Sequence, residues 1–71
     1  MDIEISTEYI KLDQLLKLHG VATTGGVAKM MISDGIVSVN GEKCLMRGKK
    51  IHPGDKVLVE SEDGVEEITV R

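Results

Sequence analysis

Apolar residues change their spacing twice along this chain, from every second position to helical spacing and back again. Ile3 and Ile5 alternate with Asp2, Glu4 and Ser6, which predicts a half-buried edge strand with both isoleucines inward. Leu12, Leu15 and Leu16 then share one face of a helix, with Asp13 in its first turn and Gly20 as its stop. His19 falls on the same stripe and reads as a partly buried histidine held at the helix end. A second helix follows, capped by Thr23 or Thr24 and ended by Gly35. It carries Val27, Met30 and Met31 on the face expected to pack, Ala28 and Ile32 beside them, and Lys29 and Ser33 toward solvent.

Alternation resumes from Ile36. Val37 and Val39 point one way, Asn40-Gly41 fits a type I′ hairpin turn, and Lys43-Cys44-Leu45 begins the return strand. Arg47-Gly48-Lys49-Lys50 and Ile51 lead into the turn His52-Pro53-Gly54-Asp55. Lys56–Glu60 is a strand, Asp63-Gly64 turns it, and Val65–Val70 returns with Ile68 and Val70 on one face. The pattern predicts an α+β fold, two short helices packed on a small, mostly antiparallel sheet of four or five short strands.

The start of the second helix carries chemistry as well as structure. Gly25 and Gly26 leave its first amides uncovered by side chains, and Lys29 sits one turn in, which outlines an anion site. Charge sharpens that picture. The net charge is −3, yet Lys11–Lys56 holds eight bases against four acids, while the two ends hold eight acids against Arg71 alone. Such segregation predicts a basic working face on a body made soluble by acidic edges. Among the bases, Arg47, Lys49 and Lys50 flank Gly48 and can gather around one backbone segment.

With 71 residues the chain closes one small core and is expected to be a single domain over 1–71. Cys44 is the only cysteine, so no internal disulfide forms, and no leader or long apolar run is present. A cytoplasmic monomer without membrane contact or cofactor is the expectation. Enzymatic chemistry has one thin candidate, Cys44 with His19 or His52, and no metal-ligand spacing occurs. The stretch from Val37 to Val59 also looks like part of a small β-grasp sulfur carrier, but those end in Gly-Gly and this chain in Thr69-Val70-Arg71.

Lys11-Leu12-Asp13, Leu15-Leu16, Gly20, Ala22-Thr23-Thr24, Ala28-Lys29, Ile32, Gly35, Val37, Val39-Asn40-Gly41 and Pro53-Gly54-Asp55 together resemble the alpha-L RNA-binding motif. This is the domain of ribosomal small-subunit protein S-four, found also on pseudouridine synthases and tyrosyl-tRNA synthetases. The resemblance runs from Lys11 to about Val59 and is strongest to small stand-alone bacterial members. It implies binding to structured RNA, often ribosomal RNA, through the helix pair and the adjoining basic loop. By position it implies roles for Lys11, Thr23, Thr24, Lys29 and Lys43, to which the residues themselves add Gly25, Gly26, Arg47, Lys49 and Lys50. The sequence departs from the family at Gly25, where arginine is common, at His19, where leucine is usual, and at Glu42, where lysine is common.

Composition bears on the kind of RNA. The chain has no Phe, no Trp and only Tyr9, so stacking on unpaired bases is not its main device. Phosphate and 2′-hydroxyl contacts from lysines, Arg47, threonine hydroxyls and helix amides would read the shape of a folded RNA instead. Duplex DNA offers similar phosphates and stays open as a ligand. The alternative function is a protein-interaction adaptor that docks on the ribosome or another complex through the acidic ends.

Overall fold

The elements of the computed structural model, which describes residues 2–71, follow in the order β1 (Asp2–Ile3), β2 (Ile10–Lys11), α1 (Leu12–His19), α2 (Gly25–Ser33), β3 (Val37–Val39), β4 (Glu42–Lys43), β5 (Lys50–Ile51), β6 (Lys56–Ser61) and β7 (Gly64–Val70). The architecture is the α+β arrangement that the pattern predicts. Leu12, Leu15 and Leu16 are fully buried on one side of α1. The helix stops at Gly20, whose φ of 86° is open to glycine without strain and whose N–H donates to Lys17 O at 3.1 Å.

Thr24, not Thr23, caps α2: its Oγ1 accepts the Val27 N–H at 3.2 Å. The buried face of this helix differs from the expected one. Ala28 and Ile32 are buried and Met31 is half-buried, whereas Val27 is 39% and Met30 64% exposed. At about 100° per residue, Met30 lies roughly opposite the Ala28–Ile32 line and Val27 well off it. Nearly every residue of α2 is apolar or glycine, so the pattern gives its docking direction little contrast.

Five strands form one sheet in the order β1-β7-β6-β3-β4. Both predicted hairpins form, the second with its turn at Glu62-Asp63, one residue before the expected Asp63-Gly64. Val39 pairs with Glu42 around Asn40-Gly41, whose φ values of 51° and 87° are those of a type I′ turn, and Ser61 pairs with Gly64 around Glu62-Asp63. The edge strand β1 is shorter than the predicted Asp2–Ser6 and runs parallel to β7, with Asp2 opposite Thr69. Its continuation is still tied, because the Ile5 N–H donates to Arg71 O at 3.0 Å and both Ile3 and Ile5 pack against the core. The return strand β4 is confined to Glu42–Lys43 and does not extend to Leu45.

The sheet turns Val37, Val39, Val57, Val59, Ile68 and Val70 inward to meet the leucines of α1 and Ala28 and Ile32 of α2. A separate two-stranded ribbon, absent from the expected architecture, pairs β2 with β5, Ile10 opposite Ile51 and Lys11 opposite Lys50. Ile51 is its anchor in the core, with no exposed surface.

Candidate nucleic-acid interface

The ribbon joins two parts of the basic region that lie far apart in sequence. Lys11 is the extended residue preceding α1, and no side chain caps that helix. The first amides of α1 are instead taken by the basic loop: the Leu12 N–H donates to Lys49 O at 2.9 Å and the Asp13 N–H to Arg47 O at 3.1 Å. A turn within the loop is closed by the Lys49 N–H on Met46 O at 3.1 Å. Main-chain bonds alone therefore fix Arg47–Lys50, and Lys50 belongs to β5. The three bases do gather on one backbone segment, but its last residue is held in a strand.

Lys11 and Lys50 stand directly opposite each other and both are exposed. Like charges at such positions repel, so the fold alone gives no reason to keep them there. Lys50 Nζ lies 5.0 Å from the Tyr9 ring centroid, which offsets part of that repulsion. Among the described residues, the ion pairs engage His19 with Glu66, His52 with Asp55 and Arg71 with Asp2. None of Lys11, Lys29, Lys43, Arg47, Lys49 or Lys50 takes part in them.

The start of α2 forms a second group. Thr24 Oγ1 and Thr24 O accept the amides of Val27 and Ala28, which leaves those of Gly25 and Gly26 at the open end. Neither glycine has a positive φ; a Cβ on Gly25 would meet nothing within 4 Å, and one on Gly26 only Thr24 Oγ1 at 3.7 Å. Thr23 is exposed beside the cap and Lys29 is exposed one turn on. This group sits where the chain re-enters after Gly20, at the far end of α1 from the basic loop, about 12 Å along that helix.

Lys43 belongs to neither group by sequence. Its side chain crosses Gly35, where a Cβ would meet Lys43 Cδ and Nζ at 3.4 Å, so the ammonium sits at the C-terminal end of α2, the favourable end for a cation. A shallow open groove runs from Lys43 past Cys44, Leu45 and Met46 to Lys49 and Lys50. It links this end of α2 to the basic loop.

One wall of the groove is built by a clasp that the turn motifs do not announce. Asp55 Oδ2 accepts the His52 N–H at 2.8 Å and Oδ1 the Asn40 Nδ2–H at 3.1 Å, while Asn40 Oδ1 accepts the Lys56 N–H at 2.9 Å. The His52 backbone bond holds the Asp55 carboxyl below its ordinary value of 3.8, and the Asn40 amide and the nearby charges of His52 and Lys49 add to this against desolvation. The two turns Asn40-Gly41 and Pro53-Gly54 are thereby locked together. Both motifs are visible in the sequence, but their contact is not.

Neither histidine meets Cys44. His19 Nε2 lies 3.5 Å from Glu66 Oε2, His52 Nδ1 lies 3.9 Å from Asp55 Oδ2, and Cys44 Sγ points to Met46 O at 3.6 Å. The His19 side chain is only 6% exposed, as its place on the leucine stripe predicts. Among the described residues there is no group of three metal-ligating side chains and no helix long and apolar enough to cross a membrane.

Comparison with known proteins agrees with this arrangement. The S4 domain family matches residues 3–69, nearly the whole chain. The chain belongs to the S4 domain family. It is also 47% identical over 58 residues, 82% of each chain, to a Bacillus subtilis (strain 168) protein named "Probable ribosome maturation protein RlbA". The S4 match takes in β1 and the β6–β7 hairpin as well as the helix pair. In the S4 frame the family resemblance at Val39-Asn40-Gly41 and Pro53-Gly54-Asp55 acquires a physical reason, since these are the two turns that the Asn40–Asp55 clasp joins.

Proposed function

We propose that this S4 domain protein is a non-enzymatic RNA-binding protein that recognises structured RNA, ribosomal RNA foremost, by phosphate and shape contacts in the cytoplasm. The name of its Bacillus relative supports ribosome maturation as the setting. The observation that carries the reading is the juxtaposition of Lys11 and Lys50 beside Arg47 and Lys49, four exposed bases outside the ion pairs of the described residues and held by main-chain bonds. A phosphate between such lysines turns their repulsion into attraction. Thr23, Thr24, Gly25, Gly26 and Lys29 supply a second contact at the α2 end, and Lys43 a third along the groove.

Filter binding of a folded ribosomal RNA fragment at several salt concentrations tests the mechanism. With about five bases on phosphate, the log–log slope is expected near −3 to −5. A flat dependence overturns it. The exposed Val27, Met30, Leu45 and Met46 favour one second reading, protein contact on the same particle. Crosslinking in cells that recovers proteins and no RNA would favour that adaptor.

A further inference from the structure

We infer that the outward face of the β2–β5 ribbon seats one unpaired nucleotide of the bound RNA, with its base on Tyr9 and His52 and its phosphate on Lys11 and Lys50. This rests on the RNA-binding reading and narrows it to a feature of the target.

In an antiparallel ribbon, opposed residues share a face and successive residues alternate. Ile10 and Ile51 are opposed and turn to the core, so Lys11 and Lys50 turn outward together. One step along the ribbon on the other side of that isoleucine pair, Tyr9 and His52 return to the outward face. Their ring centroids are 6.0 Å apart with planes tilted by 51°, and Lys50 Nζ reaches diagonally to within 5.0 Å of the tyrosine centroid. Two rings and two ammonium groups thus form one tile. It contains the single residue among Phe, Trp and Tyr that the chain possesses.

The tile's chemistry is that of a nucleotide. The half-buried Tyr9 ring and the exposed His52 ring each offer a base an apolar face, and the lysines offer its phosphate two donors. A base within a duplex is already stacked and shows the protein only its edge, so the partner must be an unpaired one next to a helical segment. Asp55 Oδ2 lies 3.9 Å from His52 Nδ1, on the side of the ring that faces the clasp. The His52 side chain is 51% exposed, open enough for contact. In the free protein the Lys50 ammonium covers part of the Tyr9 face. Phosphate draws it off, and the uncovered ring accepts the base, since a stacked base outweighs an exposed cation–π contact.

The test uses two RNA hairpins identical except for one bulged adenosine in the stem, with adenosine monophosphate as the free-nucleotide control. The bulged hairpin should bind roughly 5- to 140-fold tighter, the range given by one stacked base. Tyr9→Leu should abolish that preference and leave affinity for the fully paired hairpin unchanged, and His52→Ala should reduce it. Ring resonances of isotope-labelled tyrosine, from Tyr9 alone in the folded wild-type protein, should move upfield with the bulged hairpin only. Equal affinity for both hairpins with unmoved Tyr9 resonances overturns the seat while salt-dependent RNA binding stands. Adenosine monophosphate binding as tightly as the bulged hairpin overturns its assignment to RNA. Failure of both hairpins to bind removes the RNA reading and the seat together.

Discussion

Asn40 and Asp55 are fifteen residues apart, and their side chains decide how two turns meet. Asp55→Ala removes acceptors from the His52 N–H and the Asn40 amide, an expected loss of about 1–3 kcal/mol read as a lower Tm. The lowered carboxyl pKa sets the pH dependence. Asp55 contributes its stability above the ordinary carboxylate value of 3.8, and the contribution disappears as pH falls through the lowered folded value. The Tm gap between wild type and Asp55→Ala should therefore be full at about pH 6 and close in strong acid; a gap that persists there removes the carboxylate's role. Gly26 gives a second residue-scale prediction, because its backbone is not in the left-handed region and a Cβ would meet only Thr24 Oγ1 at 3.7 Å. Gly26→Ala is expected to leave stability unchanged or raise it by up to about 1 kcal/mol while RNA affinity falls, with Lys29→Gln adding little further loss in the double variant. Normal binding by Gly26→Ala would leave those glycines without a part in recognition. The Asn-Gly turn is legible in sequence because residue type encodes positive φ. The Asn40–Asp55 bond leaves no such mark, since nothing local records which side chain a turn residue will meet.

Among the elements, α1 and the long strands follow the apolar spacing and the short pieces do not. A two-residue strand such as β2 or β5 is too brief to show a period, and a long-range pairing gives it its only identity. That pairing places Lys11 beside Lys50, so the basic region can be read from composition but its assembly cannot. The α2 face is missed for the opposite reason, an excess of apolar residues. The loop between β4 and β5 is where element and function separate most cleanly. Its hold on α1 uses the carbonyls of Arg47 and Lys49, which survive any side-chain change. Replacing Arg47, Lys49 and Lys50 by glutamine should leave Tm nearly unchanged, apart from the small Lys50–Tyr9 contact, and should weaken RNA binding tenfold or more, on the order expected for losing three phosphate contacts. Thermal melts and filter binding on the same preparation check it. Parallel losses in both would make the side chains structural.

Over the whole molecule, sheet order converts a sequence asymmetry into a spatial one. β1 lies beside β7 and β7 beside β6, so Asp2 and the β7 carboxylates share one side of the sheet with the β6–β7 hairpin tip, while β4 at the other edge leads into the basic loop. With strands spaced about 4.8 Å, β1 and β4 lie roughly 19 Å apart across the sheet. The longest extent of the molecule is 30 Å. The Debye length is about 10 Å at 0.1 M salt and about 30 Å at 0.01 M, so the acidic edge opposes RNA approach in dilute salt and is largely screened near physiological ionic strength. Glu60, Glu62 and Asp63 are exposed at the β6–β7 hairpin tip and can be neutralised with little expected effect on the fold. The triple change Glu60→Gln, Glu62→Gln and Asp63→Asn should raise RNA affinity several-fold at about 0.01 M salt and lose most of that gain by about 0.15 M. The salt slope at higher concentration should stay as in wild type, because the number of phosphate contacts is unchanged. Equilibrium binding across that range checks both parts. A gain that survives at high salt would mean the hairpin tip lies against the RNA, and a loss of affinity would mean that its carboxylates make contacts of their own.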